Sequence, residues 1–236
     1  MSKSISGKAP SSIGIPISQR VYEQIRERII SMTWQPGARV SEKDVATELG
    51  VSKTPVREAF IRLSEEGLMD IRPQSGSYVS KISFERVYES LMLRRALEMA
   101  VAAEAASQRG AIDLIKLQDL IDLQTQAAAQ GDGPWFLKLD REFHSALIEI
   151  AKMPSASRII RALLGTVDRV QTIRMSKGKN RHQEVIAAHQ DILDAISLRD
   201  GPAAAAAMDA HLNCIDLFAQ IIRSPEVRDL VVSHAS

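Results

Sequence analysis

The run Gly50-Val51-Ser52-Lys53-Thr54-Pro55-Val56-Arg57-Glu58 constrains this chain more than any other stretch. Glycine takes the left-handed conformation that ends a helix. Proline is tolerated in the first turn of the next helix, where its missing N–H has no partner anyway. The run is therefore a tight turn between two helices, and the second helix opens with Lys53 and Arg57. Basic side chains at the start of a helix can be laid against base edges in a major groove.

The flanking residues extend this reading. Val21, Ile25, Arg28 and Ile29 fall along one side of a helix over about 18–31, which Gln35-Pro36-Gly37 breaks. Ser41 reads as the cap of a second helix, with Glu42 and Asp44 in its first turn and Val45, Ala46 and Leu49 as its apolar stripe. Gly50 stops it. Either Ser52 or Thr54 can cap the third helix, whose Val56, Phe60 and Leu63 point inward. Gly67 ends that helix, and the turn Pro73-Gln74-Ser75-Gly76 lies between two short strand-like runs, 68–72 and 77–80. Three helices and a hairpin predict a winged helix-turn-helix domain over 16–81. Residues 1–15, rich in Ser, Gly, Lys and Pro, read as a disordered tail.

Beyond Ser83 the strand signals stop. Helical segments are expected near 84–109, 112–130, 134–151, 155–176, 180–199 and 202–222, with breaks at Gly110, Gly131-Asp132-Gly133-Pro134, Pro154, Gly178 and Gly201-Pro202. Short links between six or seven helices predict an antiparallel bundle over 83–225, followed by a C-terminal tail over 226–236. The expected fold class is mainly α: a winged helix-turn-helix domain joined to that bundle.

Charge is distributed unevenly. Residues 1–81 carry 12 Lys and Arg against 9 Asp and Glu, whereas the remainder carries 18 against 20. A mildly basic N-terminal part fits a nucleic-acid module joined to something else. Cys214 is the single cysteine, which rules out an internal disulfide and fits a reducing cytoplasm. No apolar run approaches the roughly 20 residues of a membrane span, and the N-terminus lacks the apolar core of a secretion signal.

Two groups of residues carry chemistry. In the first, Lys53, Thr54 and Arg57 share the side of the third helix opposite Val56 and Phe60. Arg57 has the geometry to fork onto guanine O6 and N7. Lys53 can reach a base or a phosphate, Lys43 can reach the backbone, and the Gly76 hairpin can lie along the minor groove. In the second, Asp140 and His144 are an i,i+4 pair on one helix face. His189 and His211 sit on the apolar faces of two later helices. Three helices could bring this carboxylate and three imidazoles to one point, a ligand set suited to Zn²⁺, Ni²⁺, Mn²⁺ or Fe²⁺. Each histidine alone also fits a hydrogen-bonded core position. His182 and His234 read as surface residues, Arg95 as a solvated neighbour of Arg94, and Cys214 as a small core residue.

Pro36-Gly37, the segment 41–50, Val51-Ser52-Lys53-Thr54-Pro55-Val56-Arg57-Glu58-Ala59-Phe60, Glu66-Gly67-Leu68 and Ser75-Gly76-Ser77-Tyr78-Val79 resemble the N-terminal domain of GntR-family transcription regulators. Leu93-Arg94-x-x-Leu97-Glu98, Leu139-Asp140-x-x-Phe143-His144, His189-x-x-Ile192 and Met208-x-x-His211 are similar to the FCD effector domain of that family's FadR branch. The resemblance implies DNA contacts from Lys43, Lys53, Arg57 and Gly76, and a metal held by Asp140, His144, His189 and His211. It also implies an effector carboxylate on Arg94. Three positions depart from the pattern: Lys53 stands where Arg is usual, Met32 where a helix-ending Gly is common, and Met153 where Asn is usual.

The expected protein is a cytoplasmic homodimeric regulator, most simply a repressor, that binds a pseudo-palindromic double-stranded DNA operator under the control of a small carboxylic or sugar acid. A pure metal sensor is one alternative. A metal-dependent hydrolase is another, opposed by the lack of a general base beside the ligand set.

Overall fold

A computed structural model describes residues 16–175, 180–213 and 229–232. The N-terminal unit comprises α1 (Ile17–Ile30), β1 (Arg39–Val40), α2 (Glu42–Leu49), α3 (Lys53–Glu65), β2 (Met69–Arg72) and β3 (Gly76–Val79). Ser41 accepts from the Asp44 N–H and caps α2, and Gly50 closes it at φ 64°. Ser52 rather than Thr54 is the N-cap of α3, and its side chain makes no capping bond. The first N–H groups of a helix lack carbonyl partners, so Pro55 within that turn removes no hydrogen bond.

These elements close on a core of Tyr22, Ile25, Ile29, Val56, Phe60, Leu63, Leu68 and Val79. Full burial of each large side chain contributes about 1.5–3 kcal/mol. Arg28 stands at the edge of that core, where it forms a bidentate pair with Glu48 and lies over the Trp34 ring. The sheet order is β1-β3-β2, all antiparallel, with Arg72 opposite Gly76 at the hairpin end. The two-residue strand β1, outside the strand runs expected from the sequence, pairs Val40 with Ser77 on the other edge of β3.

After β4 (Ile82–Ser83) come α4 (Phe84–Gln108), α5 (Ala111–Gln130), α6 (Gly133–Ile150), α7 (Pro154–Met175), α8 (Asn180–Ser197) and α9 (Gly201–Leu212). Five of these helices sit close to the expected ranges because Gly and Pro punctuate them, whereas α9, expected over 202–222, ends at Leu212 with Asn213 as its C-cap, and 214–222 lie outside the described residues. Asp132 and Asp200 cap α6 and α9, each with Pro in the first turn. Gly201 lets α9 approach α4 closely: a Cβ there would lie 3.3 Å from the Ala103 carbonyl oxygen. The C-terminal end returns as β5 (Val231–Val232), which pairs in parallel with β4 beside Val87, Leu91 and Val170. No strand was expected beyond Ser83. A two-residue strand has no periodicity to read, and its partner lies far back in the sequence. Cys214 and His234 lie outside the described residues.

The two units are joined by α7. A Cβ on Gly165 would lie 2.9 Å from Leu68 Cδ1, so glycine lets α7 approach the N-terminal unit closely. Arg169, fully buried, donates to the Ser80 carbonyl, and Thr172 donates to the Ile30 carbonyl. Burial of Arg169 pushes its pKa down to about 10, against the opposing influence of Asp70.

Met32 follows α1 in the left-handed region at φ 62°. A helix-ending glycine would be free there, whereas a side chain is strained by about 1–2 kcal/mol. Met32→Gly is therefore expected to raise stability, by about 0.5–1 kcal/mol after the greater flexibility of glycine in the unfolded chain is counted. Urea unfolding of the full chain checks this, and a lower midpoint at unchanged slope contradicts it.

Candidate functional site

Asp140, His144, His189 and His211 converge. Each offers a ligand atom, and these atoms all lie within 4.8 Å of one another. The sequence provides for this in stages. The i,i+4 spacing puts Asp140 and His144 on one face of α6, among Phe136, Phe143 and Leu147. His189 enters from α8 and stacks on Phe143, with ring centroids 4.1 Å apart. His211 comes from the last turn of α9, with its Nε2 3.2 Å from His144 Nε2.

In His189 and His144 the ring nitrogen facing away from this point lies against a polar side chain. His189 Nδ1 is 2.8 Å from the Gln124 side-chain oxygen. An oxygen can only accept, so the proton is on Nδ1 and Nε2 carries a lone pair. That Nε2 is buried with no hydrogen-bond partner among the described residues, 3.6 Å from Asp140 Oδ1. Burial, then His211 and His144, hold the His189 pKa well below its usual value. His144 Nδ1 sits against Glu98 Oε2, which likewise leaves Nε2 facing inward.

Glu98 also accepts from Arg94 Nε at 2.5 Å, and both residues are almost wholly buried. Burial by itself raises the Glu98 pKa, but Arg94 and His144 outweigh it and hold the carboxyl well below the usual range. Arg94, Asp140 and His144 line a cleft of about 320 Å³ that opens between α1, α6 and α7. Gln124 belongs to none of the motifs in the sequence, and Glu98 stands there only as the end of one. A polar residue on an otherwise apolar helix face was the available signal for each.

Two other expectations are corrected. His182 is 7% exposed rather than on the surface, with its ring 4.3 Å from that of Phe136. Burial lowers its pKa. Arg95 is not merely solvated, since it grips Asp209 of α9 with Nε and Nη2.

On the recognition helix α3, Lys53, Thr54 and Arg57 are exposed while Val56, Ala59 and Phe60 are buried, as the helical spacing requires. Among the described residues no ion pair engages Lys43, Lys53 or Arg57. Lys43 and Gly76 border one shallow surface together with Arg39, a further basic residue outside the sequence motifs. Gly76 has φ 117°, and a Cβ there would lie 3.1 Å from Arg39 Nε. The positive φ of the hairpin backbone is what favours glycine here, since the exposed Arg39 side chain could move aside. Among the described residues no helix is long and apolar enough to cross a membrane.

Comparison with known proteins gives a consistent result. Residues 17–79 match the model of the bacterial regulatory proteins of the gntR family, and residues 89–213 match the FCD domain. The chain is 38% identical over 208 residues to the HTH-type transcriptional repressor RspR of Escherichia coli K12, covering 88% of this chain and 91% of that protein. It is 28% identical over 149 residues to the E. coli K12 regulator McbR, covering 63% and 67% of the two chains. Among solved structures, E. coli McbR/YncC superposes with a TM-score of 0.79 at 23% identity, over 88% of this chain and 99% of that one, which speaks for the fold. A Rhodococcus sp. RHA1 protein described as a GntR transcriptional regulator gives 0.71 at 28% identity, over 87% and 97%. The chain therefore belongs to the GntR family of bacterial transcription regulators, with an N-terminal winged helix-turn-helix and a C-terminal FCD domain.

Proposed function

We propose that this regulator is a metal-dependent, acid-responsive repressor acting as a homodimer on a pseudo-palindromic operator. The observation that carries the metal reading is His189 Nε2, a buried lone pair with no hydrogen-bond partner among the described residues. It faces Asp140, His144 and His211, and its tautomer is set by Gln124. A buried acceptor without a donor is costly, and a divalent cation satisfies all four ligand atoms at once. Zn²⁺, Ni²⁺, Mn²⁺ and Fe²⁺ all suit one carboxylate and three imidazoles. When bound, such a cation supplies a Lewis-acidic point for the oxygen atoms of a small acid. The remaining work falls to Arg94, which holds the acid's carboxylate from the cleft wall. Glu98 keeps Arg94 and His144 in place.

Family membership favours regulation over the hydrolase alternative. Against a pure metal sensor stands the Arg94 guanidinium, which lines the cleft beside the ligand set; a cation there is best explained by an anion shared between the two. Repression is the direction suggested by RspR. On DNA, Arg57 reads a base edge, Lys53 and Thr54 lie beside it, and Lys43 and the Gly76 wing fix the register on the backbone.

Two outcomes are expected. Arg57→Ala weakens binding to a DNA fragment selected by the chain from a random pool by about 1–3 kcal/mol, with zinc affinity unaltered. Fluorescence anisotropy measures the first and calorimetry the second, and unchanged DNA affinity contradicts the assignment. After chelator treatment, the wild type takes up a single zinc per chain, His189→Ala loses that uptake, and Gln124→Leu weakens it by about 10–100-fold. Equal zinc affinity in all three proteins contradicts the metal centre.

A further inference from the structure

The cleft beside Asp140 and His144 is walled by both domains. Tyr22, Glu23, Arg26 and Glu27 of α1 line it together with Arg94 and Asp168. Asp168, on α7, is 6% exposed, and its Oδ2 has no hydrogen-bond partner among the described residues. Buried carboxylate oxygens ordinarily accept hydrogen bonds, so an oxygen without a donor, on a residue that lines the cleft, marks a place for one. Burial raises the Asp168 pKa and Arg26, Arg141 and Arg94 act against that shift, while the nearby Asp140 adds to it. The Arg26 guanidinium is close, with Nη2 at 3.8 Å, but this is beyond hydrogen-bond reach. Its other contacts are also long, 3.4 Å to Glu66 and 3.5 Å to the Arg161 carbonyl. Arg26 is thus shared among three acceptors and held tightly by none.

We propose that Asp168 is a donor-accepting subsite of the cleft, filled by a hydroxyl or ammonium group on the bound acid. Filling it loosens the Arg26–Asp168 contact between the two domains. This rests on the reading of the cleft as an effector site. The subsite selects acids that carry a donor as well as a carboxylate. A site built to hydrogen-bond a group rejects analogues that lack it, because its own buried polar atom is then left unpaired.

The same contact gives the DNA-binding domain a way to sense the occupant. Glu66 is the C-cap of α3, and it accepts both from Tyr22 at 2.5 Å and from Arg26. Arg62, in the last turn of α3, lies over the Tyr22 ring at 3.9 Å. The face of α1 that borders the cleft therefore grips the end of the recognition helix, and a shift of Arg26 is passed to α3 through packed side chains.

The test uses the zinc-supplemented full chain and matched acids: succinate against L-malate and L-aspartate, and hexanoate against D-gluconate. Calorimetry is expected to show the wild type preferring a donor-bearing member over its matched partner by about tenfold or more. Asp168→Ala brings that ratio near unity and leaves the donor-free acid's affinity within about threefold. Should Asp168→Ala fold poorly, Asp168→Leu, which fills the space without an acceptor, replaces it. Arg26→Gln retains the preference but removes the acid's effect on affinity for the selected DNA. A wild type that binds matched acids equally, an Asp168→Ala that keeps the preference, or an Arg26→Gln that still responds overturns the subsite. Failure of all five acids to bind the wild type instead overturns the effector reading on which it stands.

Discussion

Glu98 is the residue on which the rest of the site depends. A carboxylate buried between helices is sustained only by the groups around it, and here these are Arg94 and His144. The pairing has two effects. It turns Nε2 of His144 toward Asp140, His189 and His211, and it fixes the Arg94 guanidinium in the wall of the adjoining cleft. The imidazole of the His/Asp cluster and the guanidinium of the cleft wall are thus parts of one charge network. Removing Glu98 would leave a buried cation unpaired and a histidine free to turn.

The second constraint is the docking of α7 on the DNA-binding domain. Gly165 allows the approach to Leu68, while Arg169 and Thr172 satisfy backbone carbonyls at Ser80 and Ile30. The helix that contributes Asp168 to the cleft is therefore the same helix that holds α1. The cleft and the contact between the two domains thus share one helix. Interfaces of this kind carry coupling between sites because packed helices have few ways to shift.

Much of this was legible in the sequence. Helix ends were marked by residues with a backbone reason to be there, such as Gly50, Gly131 and Pro134, so the bundle could be laid out from punctuation alone. The pair Asp140 and His144 was legible because i,i+4 spacing is a property of one helix. What escaped depends on neighbours distant in sequence. His182 reads as exposed until Phe136 covers it. Arg95 reads as solvated until Asp209 arrives from α9. Gln124 and Asp168 are single polar residues whose meaning comes only from what the other helices bring to them. The pairing of β5 with β4 has no sequence signal, because two residues are too few for a period.

The central claim is that the cleft and the recognition helix are thermodynamically coupled. Coupling is reciprocal: an acid that weakens DNA binding by some factor must bind the DNA complex more weakly by the same factor. The direct measurement is the affinity of one bound acid for the zinc-loaded protein, by calorimetry, with and without saturating selected DNA. The account predicts that DNA lowers the acid's affinity by the factor with which the acid lowers DNA affinity. An acid affinity that is indifferent to bound DNA would contradict it.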